Sequence, residues 1–124
     1  MTEKENAIYV AQQLYERKAQ DILVLNVAHM TVLTDYLVIA SGLNALQVKA
    51  LAEHLDFKTQ ERGMELRRIE GMADGKWVVM DFNGIIVHIF SRPERDYYRL
   101  ERLWSDGTNQ VSLPFDDSKD ETLS

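Results

Sequence analysis

Cysteine is missing from the sequence, which excludes disulfide bonds and thiolate chemistry for this chain of 124 residues. Long apolar runs are missing too: the longest, residues 85–90, has the length of a strand and includes His88, whereas a membrane-spanning helix needs roughly 20 apolar residues. Residues 1–6 lack the basic start and the apolar stretch of a signal peptide. Together these absences predict a protein of a reducing, cytoplasmic environment.

Positive charge is also scarce, because 14 basic residues face 20 acidic ones and the net charge is −6. Proteins that bind bare nucleic acid usually present a basic surface, since lysine and arginine displace counterions from the phosphates. We therefore expect no direct nucleic-acid readout, and we expect any work near RNA to proceed through a basic protein. The alternative is that the acidic surface serves only solubility.

Glycine and proline are few, 6 and 2 respectively, and they separate segments of clear periodicity. Apolar residues at three-and-four spacing predict helices, and short β-branched apolar runs predict strands. Asn44, followed by Gln47, has the pattern of a helix cap, and Gly63 is a typical helix terminator. The predicted elements are a helix over roughly residues 3–18, strands at 22–27 and 35–40, a helix from 44 to 63, and a short edge strand at 65–69.

Asn83 and Gly84 lie between two apolar runs and give the strongest two-residue signal for a β-hairpin, with positive φ expected at both residues of a type I′ turn. The turn sets the register, and cross-strand partners share a face. One face is wholly apolar and is predicted to be core: Val78, Met80, Phe82, Ile85, Val87 and Ile89. The other face is mixed: Trp77, Val79, Asp81, Ile86, His88 and Phe90.

Pro93 predicts the start of a last helix, because proline in the first turn loses no helical hydrogen bond. We expect Tyr97, Leu100 and Trp104 on one side of this helix. Three arginines form a separate row, which acidic neighbours are expected to neutralise on a solvated face: Arg95, Arg99 and Arg102.

Residues 108–124 are polar, acidic and weakly periodic, and they predict a mostly disordered tail that is pinned at Leu113 and Phe115. The chain is thus predicted to comprise one domain, residues 1–107, and this tail. The order of elements predicts an α/β fold with a mixed sheet of about five strands and helices packed on it.

The candidate catalytic arrangements are all incomplete. His29, His54 and His88 stand alone, without a second ligand at the spacing of metal sites. Ser41 lies at a strand-to-helix turn but lacks the glycine-flanked elbow of hydrolases. No pair of neighbouring acids suited to magnesium-dependent nucleotidyl transfer occurs in a predicted strand. We therefore expect no enzymatic activity, no metal and no cofactor.

The mixed hairpin face has two interpretations. In the first, a helix covers the face, and Asp81 and His88 bond to each other or to the backbone. In the second, Trp77 and its neighbours stay partly exposed as a docking patch, because aromatic side chains bury a large area at low entropic cost. The residue pattern alone leaves both open.

Six segments, in order and at similar intervals, resemble the ribosomal silencing factor family, also called Iojap-like, over roughly residues 5–105. Each segment is weak alone, and their order makes the resemblance specific. The segments are TDYLVIASG (34–42), QVKA (47–50), EG (70–71), WVVMDF (77–82), VHIF (87–90) and YYRLERLW (97–104). Residues 43–47 depart from the polar run usual in the family, and the segment after Gly107 is expected to lie outside it.

The resemblance implies a protein that binds the large ribosomal subunit through its ribosomal protein fourteen. Such a protein blocks joining with the small subunit and lowers translation when nutrients are short, and free members of the family are often homodimers. The resemblance also implies a nucleotidyltransferase-like fold without the catalytic acids. The residues that it implies for binding the ribosomal protein are Trp77, Asp81, His88, Tyr98, Leu100, Glu101 and Leu103. A nucleotide-using transferase on the same fold and an interaction domain for another protein are the alternatives.

Overall fold

Four helices and five strands make up the computed structural model of the chain, which describes residues 2–115. The elements are α1 (Glu3–Glu16), β1 (Gln20–Asn26), β2 (Tyr36–Gly42), α2 (Ala45–Arg62), β3 (Arg68–Glu70), β4 (Trp77–Asp81), β5 (Ile85–Ser91), α3 (Arg92–Tyr98) and α4 (Leu100–Trp104). No helix among these residues has the length and apolar character needed to cross a membrane.

The strands form one mixed sheet in the order β1-β2-β5-β4-β3. Strands β2 and β5 are parallel, and every other neighbouring pair is antiparallel. Parallel pairing needs a long connection between the two strands, and here α2, β3 and β4 all lie between β2 and β5. The predicted α/β fold, with a five-stranded mixed sheet and helices packed on it, is confirmed.

Helices α1 and α2 cover one face of the sheet and enclose the main core. Thr2 and Glu5 cap α1 reciprocally, in a capping box. Asn44 caps α2 as predicted, with its side-chain oxygen accepting from the Gln47 N–H at 2.9 Å. Gly63 ends α2 in the left-handed conformation (φ 86°). The apolar hairpin face predicted as core is buried in this layer.

The opposite face of the sheet carries a smaller apolar cluster. Its buried members are Leu25, Val27, Leu37, Ile39 and Phe90. Leu100 and Trp104, from the short helix α4, pack against this cluster and are themselves only partly buried. This face is therefore less completely covered than the first, and the mixed side of the hairpin belongs to it.

The hairpin register is confirmed, since Trp77 pairs with Phe90 and Asp81 pairs with Ile86. The turn differs from the predicted type I′ turn, because φ is positive at Asn83 (78°) but not at Gly84. The Gly84 N–H instead donates to the Phe82 carbonyl at 3.1 Å, which is the hydrogen bond of a γ-turn. The Gly84 carbonyl accepts from the N–H groups of residues 35 and 36, both at 3.1 Å. The γ-turn thus occurs where the Gly84 carbonyl is hydrogen-bonded to the start of β2.

The predicted last helix is two helices. Arg99 takes the left-handed conformation (φ 47°, ψ 50°) and separates α3 from α4. A left-handed residue cannot continue a right-handed helix, so the side-chain row expected from Tyr97 through Trp104 is broken. Tyr97 is accordingly exposed, whereas Trp104 packs on the sheet.

The segment after α4 packs on the domain through residue 115. The Val111 N–H donates to the Val24 carbonyl at 2.8 Å, and Leu113 is buried in the main core. The Phe115 ring stacks on Tyr15 with a centroid distance of 4.2 Å. The folded chain therefore continues beyond residue 107, and Leu113 and Phe115 hold the segment as predicted. The remainder of the predicted tail, residues 116–124, lies outside the described residues.

Candidate protein-docking site

Trp77 is the centre of the mixed hairpin face. Its position opposite Phe90 in the strand register places the two rings on the same face, where their centroids are 4.8 Å apart. Phe90 is fully buried, and Trp77 is only half-buried. Trp77 therefore rests on a buried aromatic base and keeps part of its indole accessible.

His88 holds the Trp77 ring by a hydrogen bond in which the indole Nε1–H donates to the imidazole Nδ1 at 3.0 Å. The indole nitrogen is only a donor, so Nδ1 carries no proton and the neutral ring keeps its proton on Nε2. Burial lowers the pKa of His88 from 6.5 to about 4, which favours the same neutral form at physiological pH. His88 thus orients the tryptophan and contributes no positive charge.

Tyr98 brings the end of α3 to the same place. Its ring centroid lies 4.7 Å from that of Trp77, and the residue is 48% exposed. We call Trp77, His88, Phe90 and Tyr98 the aromatic cluster. The interpretation in which a helix covers the hairpin face holds only in part, because Tyr98 of α3 contacts the Trp77 ring and leaves Trp77 half-buried.

Helix α4 adds aliphatic surface beside the aromatic cluster. Leu103 is 71% exposed. Leu100 is partly buried, and together with Trp104 and His88 it lines a small apolar cleft of about 160 Å³. The left-handed turn at Arg99 lets the chain present Tyr98 and Leu100 next to the same part of the sheet.

Asp81 and Glu101 differ from the other expected binding residues, because each is bonded within the chain. Asp81 lies at the far end of β4 from Trp77, and its carboxylate accepts from the Asn83 N–H at 2.7 Å. Glu101 accepts from Arg95 Nε at 3.2 Å. The structure thus gathers Trp77, His88, Tyr98 and Leu100 on one face, and Leu103 is exposed on the same short helix as Leu100. It gives Asp81 and Glu101 partners of their own.

The expected row of solvated arginines is wrong for Arg95, which is 5% exposed. Its guanidinium bonds to Glu101 and, at 2.8 Å, to the hydroxyl of Ser41. Arg99 and Arg102 are exposed, as predicted. The break at Arg99 disrupts the helical row on which the prediction depended.

Leu33 is a candidate site residue that was not expected from the sequence. It belongs to the loop between β1 and β2, is 74% exposed, and lines the same apolar cleft as Leu100 and Trp104. Its neighbour Val32 is fully exposed. Two consecutive apolar residues in a predicted connection were the available signal, since solvated loops are usually polar.

No group of three or more histidine or carboxylate side chains that could hold a metal ion occurs within residues 2–115. The site therefore consists of aromatic and aliphatic surface supported by internal hydrogen bonds. Such a surface suits recognition of another protein, where aromatic side chains commonly act as anchors.

Comparison with known proteins identifies the family that the six sequence segments resemble. The family model described as "Ribosomal silencing factor during starvation" matches residues 1–123. The chain is 37% identical over 91 residues to the ribosomal silencing factor RsfS of Halalkalibacterium halodurans, an alignment that covers 73% of this chain and 78% of the relative. It is 33% identical over 106 residues to RsfS of Bacillus subtilis, with 86% and 90% covered.

A crystal structure of a Chromobacterium violaceum protein superposes with a TM-score of 0.81 at 31% identity, covering 92% of this chain and 97% of the other. The family match continues past Gly107, so the expectation that the segment after this residue lies outside the family is wrong. The packed residues 109–115 agree with this longer match.

Proposed function

Because the chain belongs to the ribosomal silencing factor family, we propose that it binds the large ribosomal subunit through ribosomal protein fourteen and blocks joining with the small subunit. Binding would lower translation when nutrients are short, with no bond made or broken, in the cytoplasm. The observation that carries the proposal is the accessible pair of Trp77 and Tyr98, whose ring centroids are 4.7 Å apart on the less completely covered face of the sheet.

The construction of the aromatic cluster supports a role in docking. Ordering a flexible side chain on binding costs free energy, so anchors that are already fixed bind more tightly. Trp77 is fixed before binding by the hydrogen bond to His88 and by stacking on Phe90. Leu33, which lines one cleft with Leu100, and Leu103, on the same helix as Leu100, add exposed aliphatic area.

The charge of the chain supports a basic protein as the partner. A net charge of −6 repels the phosphates of ribosomal RNA and attracts a positively charged protein surface. Complementary charge of this kind mainly raises the association rate and disfavours wrong partners. Anchor side chains that become buried on binding supply most of the affinity. We therefore assign partner selection and association rate to the acidic charge, and affinity to the aromatic anchors.

Sucrose-gradient sedimentation tests the proposal. Purified protein is expected to comigrate with large subunits and to reduce the fraction of joined ribosomes when small subunits are added. A protein that does neither contradicts the proposal. Magnesium-dependent nucleotide binding by calorimetry would favour the transferase alternative, and capture of a non-ribosomal protein in place of large subunits would favour another interaction domain.

Substitution of the anchors tests the assigned surface. Trp77→Ala and Tyr98→Ala are each expected to weaken binding to large subunits by about 2 kcal/mol or more, roughly thirtyfold. Phe57→Ala is the matched control, because Phe57 is an exposed aromatic residue on α2, which packs on the other face of the sheet. Circular dichroism and thermal melting establish that each variant is folded. Unchanged affinity in both anchor variants removes the surface assignment and leaves the family membership intact.

A further inference from the structure

Helices α3 and α4 are too short to hold their own positions, at 7 and 5 residues. Isolated helices of this length are not stable in water, so contacts with the rest of the protein must hold them. The left-handed turn at Arg99 also uncouples the two helices from one another. The placement of Leu100 and Leu103 in the docking site therefore needs a separate explanation.

Arg95 provides a connection between three elements. Its Nη1–H donates to the hydroxyl of Ser41, at the end of β2, over 2.8 Å. Its Nε–H donates to a carboxylate oxygen of Glu101, in the first turn of α4, over 3.2 Å. Ser41 is fully buried and Arg95 nearly so. One guanidinium on α3 thus joins the sheet to the helix that carries Leu100 and Leu103.

This arrangement constrains its members because a buried donor tolerates the loss of its acceptor badly. Removing the Glu101 carboxylate leaves the Nε–H of the buried Arg95 without an acceptor, whereas an uncharged acceptor in the same place still satisfies it. Arg92 holds the start of α3 independently, through Asp21 on β1 at 2.7 Å. Loss of the Arg95–Glu101 bond is therefore expected to release α4 more than α3.

We propose that Arg95 and Glu101 are positioning residues, which hold α4 so that Leu100 and Leu103 stand beside the aromatic cluster. Glu101 acts through Arg95 and does not touch the partner protein. The statement about α4 concerns the free chain, and the statement about binding rests on the proposed function. The proposal assigns to Glu101 a role different from the direct contact that the family resemblance implied.

Fluorescence of the free protein tests the position of α4. Trp77 and Trp104 are the two tryptophans of the chain, so a Trp77→Phe background leaves Trp104, on α4, as the reporter. Glu101→Ala is expected to shift its emission to longer wavelength, because Trp104 leaves the sheet for water. Glu101→Gln is expected to keep the emission of the background protein, since its amide oxygen still accepts from Arg95 Nε. An unchanged spectrum in Glu101→Ala overturns the proposal.

Binding to large subunits, measured with Trp77 in place, tests the consequence for docking. Glu101→Ala is expected to weaken binding at least tenfold, and Glu101→Gln is expected to stay within about twofold of the unsubstituted chain. Glu53→Ala, which removes an exposed carboxylate on α2, controls for loss of negative charge.

The outcomes separate the proposal from the proposed function. If Glu101→Gln weakens binding as much as Glu101→Ala, the partner protein interacts directly with the negative charge of Glu101, and the positioning role is wrong. If Glu101→Ala shifts the fluorescence but binds normally, α4 is not needed for docking and that part of the proposal fails. If the unsubstituted chain does not bind large subunits, the proposed function fails, and the fluorescence result alone decides whether Arg95 and Glu101 position α4.

Discussion

Acidification between pH 7 and pH 5 is predicted to destabilise the protein through His88. Burial lowers the pKa of His88 from 6.5 to about 4 in the folded chain. In the unfolded chain the imidazole takes up a proton near its ordinary pKa of about 6.5. Between these two values the unfolded state binds more protons than the folded state, so stability falls as pH falls. The stability contributed by neutral His88 is fully present above pH 6.5 and is lost as pH approaches 4.

The magnitude follows from the difference between the two pKa values. One pKa unit corresponds to about 1.4 kcal/mol, so the shift from 6.5 to about 4 corresponds to about 3 kcal/mol when the whole range is crossed. The interval from pH 7 to pH 5 covers most of this range and corresponds to about 2 kcal/mol. Protonation at Nδ1 also removes the acceptor for the Trp77 indole N–H, so the same event frees the docking anchor.

Urea unfolding at pH 7 and pH 5 measures the effect in the unsubstituted chain and in His88→Gln. Glutamine offers an amide oxygen to Trp77 but does not titrate. Burial also lowers the pKa of His54, and this group contributes equally to both proteins and cancels in the comparison. The unsubstituted chain is expected to lose about 2 kcal/mol more than the variant. Equal losses in the two proteins would refute the conclusion that burial keeps His88 neutral.

Two further predictions concern backbone geometry and the C-terminal segment. Gly71→Ala is expected to destabilise the fold by about 2 kcal/mol or more, because an added Cβ would lie 2.0 Å from the Trp77 carbonyl oxygen at a φ of +93°. Gly63→Ala, with open space around a φ of +86°, should cost about 1 kcal/mol. Asn109→Ala should cost about 2 kcal/mol in urea unfolding, because the buried amide bonds to the carbonyls of Asn26 and Trp104 and to the Asp106 N–H. An equal loss in Gly63→Ala, or no loss in Asn109→Ala, contradicts the respective argument.

The features that the sequence predicted best are those set by local periodicity. Alternation along residues 77–90, together with the Asn-Gly pair, defined the hairpin register and its apolar face, and both agree with the structure. The caps of α2 were also predictable, since Asn44 and Gly63 act within one turn of the residues that they cap. In these cases the deciding interactions lie within the segment itself.

Features that depend on distant partners were not predictable in this way. Periodicity placed Arg95 in a solvated row, but its partner Ser41 is 54 positions away and draws the guanidinium into the interior. The break at Arg99 has no glycine or proline to mark it, and a non-glycine residue in the left-handed region costs about 1 kcal/mol. The acidic composition after Gly107 predicted a mostly disordered tail and so hid the extent of the packed segment, although Leu113 and Phe115 were correctly expected to hold it.

The polar and the apolar residues expected at the docking site have different physical roles. The polar ones are bonded within the chain: His88 to Trp77, Asp81 to the hairpin turn, and Glu101 to Arg95. A polar side chain that already has a hydrogen-bond partner gains little free energy from a new one. Exchanging the internal hydrogen bond for one to the partner protein contributes only the difference between the two free energies. The exposed surfaces of Tyr98 and Leu103, and the accessible part of the Trp77 ring, lose water on contact with a partner. The polar residues therefore contribute by fixing the surface in advance, and affinity should follow the apolar area that Trp77 and Tyr98 bury.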